Sequence, residues 1–249
     1  MTQPRHPKIR VGIGGWTYEP WRGVFYPDDL PQRRELEYAS SKLTTIEING
    51  TYYGSQKPES FRRWREETPD DFVFSVKGPR FATNRRVLAE AGSSIERFFA
   101  SGVTELREKL GPINWQFQAT KKFDPADLEA FLKLLPKSQD GVDLRHVLEL
   151  RNASFMVPDC LDLLRAHGAA VVLTDHETFP NFEESPAAFT YVRLQRASET
   201  EPLGYSAKAL DDIAERARRW AGDGEVFIYM INGFKPKAPA AAMGLIERL

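Results

Sequence analysis

The chain has 249 residues, of which 41% are hydrophobic and 28% charged, and its formal net charge is −1. That is enough apolar material for a real core, and the charge excludes a global field that would favour nucleic acid. A single cysteine, Cys160, excludes an internal disulfide and fits a reducing compartment.

The opening stretch MTQPRHPKIR has no apolar leader, so no signal peptide is expected. No apolar run approaches about 18 residues, so no membrane span or membrane partner is expected either. A cytoplasmic protein of unknown oligomeric state is the expectation. Arg-Arg pairs at 33–34, 62–63, 85–86 and 218–219 read as solvated helix faces.

Residues 1–7 are expected to be a loose tail, and residues 8–249 one domain. KIRVGIGG (8–15) reads as the first strand. The loop after it carries Trp16, Tyr18, Trp21, Phe25 and Tyr26. These rings either cap a small core under a long loop or build a stacking wall. PQRRELEYASSKL (31–43) is helical, with Pro31 near its first turn. TTIEIN (44–49) is the second strand, and Glu47 and Asn49 share one of its faces. A carboxylate inside a strand is costly unless it is paired or hydrogen-bonded, so that face is not a plain core.

KPESFRRWREETP (57–69) is a helix between two prolines. DFVFSVKG (71–78) is the third strand, alternating Phe72, Phe74 and Val76 against Val73, Ser75 and Lys77. Residues 93–111 read as one helix, with a capping box from Ser93 to Glu96 and a stop at Gly111. PINWQFQAT (112–120) is the fourth strand. FDPADLEAFLKLLP (123–136) is a helix capped by Asp124 and opened by Pro125.

LRHVLELRN (144–152) is the fifth strand. VPDCLDLLRAHG (157–168) is a helix ending at Gly168, on which Cys160 reads as a packed thiol. AAVVLTD (169–175) is a continuous apolar run of the kind found in buried parallel strands. Residues 176–188 hold two prolines and no helical period, so the sixth helix is expected to be missing or reduced. FTYVRLQ (189–195) and EVFIYMING (225–233) are the last strands. The helix at 206–222 lies between them, with Ser206 as its cap, and a final helix begins near Pro239.

Eight strands alternating with seven helices in about 250 residues imply an α/β protein, a single TIM-type (β/α)8 barrel; a doubly wound open sheet is the alternative. In such a barrel alternate side chains point inward, and function sits at the carboxyl ends of the strands. The last inward positions then read Glu47 and Asn49, Ser75 and Lys77, Gln116 and Gln118, Glu149 and Arg151, Asp175, Arg193 and Gln195, and Asn232. The first strand supplies only glycines there. Three acids (Glu47, Glu149, Asp175) face three bases (Lys77, Arg151, Arg193), and a closed network would keep all six ionised.

Buried ion networks are poor stability devices, so six charges at this end suggest a polar or anionic ligand. Glu47, Glu149, Lys77 and Asp175 are the catalytic candidates. Lys77 is expected to hold an anionic or carbonyl oxygen, because neighbouring carboxylates oppose a Schiff base. No cofactor is expected. Glu47, Glu149, Asp175 and His176 together form the minor alternative, a hard divalent ion. His146 has the opposite parity to Glu149 and should face the helices. GIGGWT lacks the third glycine of a dinucleotide fingerprint.

The stretches IRVGIGGWTYEPWRGVFYP, TTIEINGTYYGSQKPESFRRW, FVFSVKGPRF and FTYVRL resemble the domain-of-unknown-function 72 (YecE-like) family over nearly the whole chain. The resemblance implies a TIM-type barrel with no established activity, one likened to endonuclease IV-type enzymes and sugar isomerases. By position it covers Trp16, Tyr18, Glu47, Asn49, Lys77, Gln118, Glu149, Arg151, Asp175, Arg193 and Tyr205.

Four places depart from the family pattern. Gln195-Arg196 stand for His-Gly, and Asn152 and Phe155 for His and Trp. Phe117-Gln118-Ala119 lack Leu-Pro, and Ile231 precedes Asn232 in place of an aromatic. Three functions therefore stay open. The first is an enzyme on a small sugar- or phosphate-like ligand, with the first-loop aromatics stacking on it. The second is a nucleic-acid enzyme or binder, in which Asn84, Arg85 and Arg86 touch phosphates. The third is a diverged binding protein without catalysis.

Overall fold

In the computed structural model, residues 8–249 are described; the expected tail at 1–7 lies outside them. Eight parallel strands close into a barrel: β1 (Ile9–Gly14), β2 (Thr45–Ile48), β3 (Val73–Lys77), β4 (Leu110–Gln116), β5 (His146–Glu149), β6 (Ala170–Thr174), β7 (Phe189–Leu194) and β8 (Glu225–Met230). Each strand pairs with its neighbours in sequence, and β1 closes the ring against β8. A two-residue antiparallel pair (Ser138–Gln139 with Val142–Asp143) precedes β5 and stays outside the barrel.

The helices of eight or more residues are α1 (Glu35–Lys42), α2 (Pro58–Glu66), α3 (Gly92–Ala100), α4 (Pro125–Leu134), α5 (Pro158–Ala166), α6 (Ala207–Trp220) and α7 (Ala238–Ile246). Local chemistry sets several of their ends. The Asp124 carboxylate accepts from the Asp127 amide at 3.0 Å, and the Ser206 hydroxyl from the Ala209 amide at 3.2 Å. These are N-caps, which satisfy amides that the first turn leaves free. Gly168, at φ +67°, supplies the left-handed residue that ends α5. No helix joins β6 to β7; residues 175–188 are irregular, as their prolines imply.

The helix expected over 93–111 is divided. It begins at Gly92 with no side-chain cap, so Ser93 is not the cap. It stops before Gly102, which sits at φ +89°, and a 3-10 stretch follows over Val103–Lys109. Gly111 is no stop either: it lies inside β4, where a Cβ would come within 2.6 Å of Val73 Cγ1 and 2.7 Å of the Phe74 carbonyl oxygen. The β3–β4 register shifts at this point, and a glycine in a strand commonly marks such a close approach.

The buried apolar residues form two bodies. One lies between strands and helices and includes Ile46, Ile48, Phe74, Val76, Val171 and Leu173. The other fills the barrel and includes Val147, Ala170, Val172, Phe189, Tyr191, Phe227 and Tyr229. Strands β3, β5, β6, β7 and β8 contribute to both by alternation. Cys160 is fully buried, and burial pushes its thiol up to about 12. His146 faces the helix layer as expected, accepting from Trp115 Nε1 at 3.1 Å. No helix among the described residues is long and apolar enough to cross a membrane.

Candidate functional site at the barrel mouth

The inward face becomes polar towards the carboxyl end of the barrel. Thr45 and Ser75 come first; their hydroxyls bond Tyr229 at 2.9 Å and Tyr191 at 2.7 Å. One step further lies the ion network. Tyr191 donates to Glu47 Oε1 at 2.7 Å, and Arg193 Nη2 to Glu47 Oε2 at 3.1 Å. Arg193 Nη1 donates to Glu149 Oε2 at 2.7 Å, so one guanidinium bridges both carboxylates. Asn114 Nδ2 lies between the same two acids, 3.2 Å from Glu47 and 3.3 Å from Glu149. Arg151 holds the other oxygen of Glu149 through two donors, at 2.8 and 2.5 Å.

Lys77 stands 3.5 Å from Glu149 but donates to the neutral Gln116 carbonyl. Gln116 in turn donates to the Tyr52 hydroxyl at 3.3 Å. One donor and one acceptor end without partners: Arg193 Nε donates to nothing, and the buried Asn114 Oδ1 accepts from nothing.

Burial alone would push both carboxyls up. For Glu47 the Arg193 and Lys77 charges and the Tyr191 hydroxyl outweigh it, and the net direction is down. For Glu149 the Arg193, Lys77 and Arg151 charges outweigh it further, well below the usual carboxylate range. Both are fixed anions. Burial and the Arg193 charge push Lys77 down to about 8, against the pull of Glu149 and Glu47. Lys77 is therefore the member of the network poised to exchange a proton near neutral pH.

A cavity of about 620 Å³ opens above this floor, lined by Trp16, Asn49, Lys77, Gln116, Arg151 and Arg193, together with Ile231, Asn232 and Lys235. Gly14 keeps it open: a Cβ there would lie 2.8 Å from Asn49 Nδ2 and 3.1 Å from Ile231 Cδ1. Trp16 packs edge-on to Trp64 at 5.1 Å and still lines the cavity. Arg151 lies 4.8 Å over the Phe179 ring, which stacks on His176.

Several expected members lie elsewhere. Asp175 is outside the network: its oxygens accept from the Gln195 amide at 2.6 Å and the Tyr205 hydroxyl at 2.8 Å. Burial raises it despite those donors. Strand β6 turns Ala170 and Val172 inward, and so Thr174, while Asp175 has the helix-side parity. The balance is accordingly two acids to three bases, and the six-charge ring is corrected to five.

Gln195 donates to Thr174 Oγ1 at 3.0 Å and accepts from Asn232 at 3.1 Å, forming a neutral chain beside the mouth. Asn232 follows Ile231, the inward residue of that parity, and reaches the cavity only past the end of β8. Gln118 is exposed and lines a separate cavity with Asn84, Arg85, Arg86, Lys121 and Lys122. Tyr18 packs on Trp21 at 5.2 Å, with Lys235 4.3 Å over its ring, and does not line the mouth. Asn152 caps a short turn by accepting from Ser154 N at 3.0 Å, and Phe155 is core.

As for the divalent-ion alternative, Glu47 and Glu149 are occupied by nitrogen and hydroxyl donors, and Asp175 and His176 lie apart from them. Among the described residues no group of three or more His, Cys, Asp and Glu could hold a metal ion. Asn114 and Tyr191 are the members that sequence reading missed. Each lies two residues before a polar residue already assigned inward (Gln116, Arg193), so the same alternation could have found them.

The closed strand ring and the polar floor at its carboxyl end define a TIM-type α/β barrel with a buried ionic mouth. The family described as "Protein of unknown function DUF72" matches residues 10–249, and the chain belongs to it. The UPF0759 protein YecE of Escherichia coli (strain K12) is 30% identical over 142 residues, covering 55% of this chain and 48% of that protein. The match thus spans about half the length of that curated relative. A DUF72 family protein of Thermotoga maritima MSB8 is similar in structure, with a TM-score of 0.75 at 23% identity over 96% of this chain and 97% of that one. The crystal structure of SacUVDE is similar with a TM-score of 0.59 at 13% identity over 96% of this chain and 98% of that one. At these identities the two structures show the fold alone.

Proposed function

We propose that this protein is an enzyme acting on a small polar anion, sugar- or phosphate-like, bound at the carboxyl-end mouth. One observation carries the reading: two buried acids meet three cations beneath an open cavity, and an arginine nitrogen among them has no partner. A surplus buried cation is costly, and an anionic ligand compensates it. Lys235 adds a further positive charge to the wall.

In this reading Arg151, Arg193 and Lys235 bind the anion, while Asn49, Asn232 and Trp16 orient it. Glu47 and Glu149 are fixed anions that set the field, and Lys77 moves the proton. Groups titrating near the working pH make efficient acids and bases. Thermal-shift and calorimetric titrations with inorganic phosphate, sulfate and sugar phosphates at low salt test it. Saturable binding weakened tenfold or more by Arg151→Ala supports the reading; binding of none of them ends it.

The basic shelf of Arg85, Arg86, Lys121 and Lys122 favours a second reading, a nucleic-acid enzyme or binder. It is tempered by local ties: Arg85 donates to Phe81 O and Ser94, and Lys121 to Asp127. Affinity for single strands that falls steeply with salt is its requirement. A diverged binding protein, the third possibility from the sequence, differs from the first in having no turnover on any ligand that binds.

A further inference from the structure

We propose that Lys77 is an imine-forming lysine, whose amine adds to the carbonyl of a small aldehyde or ketone with its anionic tail against Arg151 and Lys235. This rests on the reading of the mouth as an anion-binding enzyme site and names the reactive group of its substrate.

The argument begins with charge. Glu47 and Glu149 are matched by Arg193 and Arg151 at hydrogen-bond distance. Those four charges cancel, so Lys77 is the odd cation of a buried set. Its hydrogen-bond acceptor is the neutral Gln116 amide, while the nearest carboxylate oxygen is 3.5 Å away and already taken by Arg193. The carboxylates that sequence reasoning set against a Schiff base are thus committed to the arginines. Lys77 also lines the cavity, and the Tyr52 ring covers it at 5.3 Å. Independently, burial and Arg193 push the amine down to about 8, which leaves a usable neutral fraction. Desolvation beside another cation is a known way to activate an amine.

The step balances in the protein as found. The neutral amine attacks the carbonyl carbon, a C–N bond forms, and the carbonyl π pair moves to oxygen. The proton leaving nitrogen passes to that oxygen and gives the carbinolamine. The C–O bond then breaks as the hydroxyl takes up a second proton, the one the ammonium released to solvent in the open cavity on becoming the neutral amine, and water departs. The nitrogen lone pair closes the C=N bond. Ammonium plus carbonyl gives iminium plus water, so the charge next to Glu149 is the same before and after. Tyr52, bonded to Gln116, and the Gln116 amide are placed to carry the hydroxyl during dehydration.

The test uses the full chain with glycolaldehyde phosphate and sodium cyanoborohydride, which traps an iminium as a stable secondary amine. Intact mass and peptide mapping locate the adduct. At limiting aldehyde, residue 77 should be modified at least tenfold faster than any other lysine, and inorganic phosphate should slow it. Lys77→Arg, which keeps the charge, should lose the fast adduct. Mapping in the unaltered chain decides the matter even if that variant folds poorly. Equal labelling of surface lysines with residue 77 unmodified overturns the proposal. If phosphate still binds in that case, the anion-site reading stands and only the imine fails. If phosphate does not bind and residue 77 is unmodified, both fall.

Discussion

Each end of the barrel holds an ion cluster, and the two differ in what surrounds them. At the amino end Arg10 and Arg145 converge on Glu225, whose side chain is 40% exposed. At the carboxyl end Arg193, Arg151 and Lys77 converge on Glu149, whose side chain is 4% exposed. Both are two cations or more on one carboxylate, yet their energetics are opposite. Water reaches Glu225 and Arg145 whether or not they pair, and the buried Arg10 keeps the Asp71 carbonyl at 2.7 Å, so the pairing contributes little and costs little. The carboxyl-end charges have lost their water, so each depends on its neighbours and the set is expensive to hold. An expensive cluster beneath an open cavity is where function is to be sought.

The largest effect is expected at the centre of the buried cluster. Glu149→Ala leaves Arg193, Arg151 and Lys77 without their shared anion, and should destabilise the fold by about 3–5 kcal/mol in chemical denaturation. An unchanged midpoint would mean that water reaches the cluster freely.

Acid should act on the same cluster. Glu47 and Glu149 have folded pKa values below their unfolded ones. As pH falls, the unfolded chain therefore binds protons first, and ∂ΔG/∂pH is positive in that range. Their stabilisation is present in full above about 4.3 and is lost as pH drops towards the folded values. Denaturation midpoints recorded through that window should fall more steeply for the native chain than for Glu47→Gln.

Lys77 should behave in the opposite sense. Its folded pKa is lowered to about 8. Between there and about 10.4 the unfolded chain holds a proton that the folded chain has released, so stability rises with pH across that window. Lys77→Met should stabilise the fold by about 1–3 kcal/mol near neutral pH, with the gain shrinking near the top of the window. A loss of stability at neutral pH would show that the ammonium is a net contributor. The smallest effect belongs to the amino end. Glu225→Gln should change stability by less than about 1 kcal/mol and become undetectable in high salt; a larger change would erase the contrast between the two ends.

Parity explains which parts of this were legible in advance. On β2 the inward Thr45 and Glu47 alternate with Ile46 and Ile48, and the polar-apolar contrast reveals the face. On β6 the run AAVVLT is apolar on both sides, one facing the barrel and one the helices. Nothing in its alternation says which side is which, so the pattern admits Asp175 as inward, whereas Thr174 holds that parity. Gln118 fails for a different reason: β4 ends at Gln116, and beyond a strand's end the two-residue rule has no force. The aromatic loop was ambiguous because a ring that caps a core and a ring that lines a site look alike in sequence. The structure divides them, with Trp21 fully buried and Trp16 on the cavity wall.

The sequence by itself determined the barrel, its strand count, the absent sixth helix and most of the charged residues at the mouth. These follow from local periodicity, from caps and breakers, and from the cost of placing a carboxylate on a strand, all of which act within a few residues. Only the tertiary structure decided which of those charges belong together. Arg193 bridges Glu47 and Glu149 from strands 146 and 44 residues apart in the chain, while Asp175 pairs with Tyr205 instead. Coulomb energy depends on distance through space, and the turn of Asp175 to the helix side, where it meets Gln195 and Tyr205, converts an expected balance of three and three into a surplus cation at Lys77.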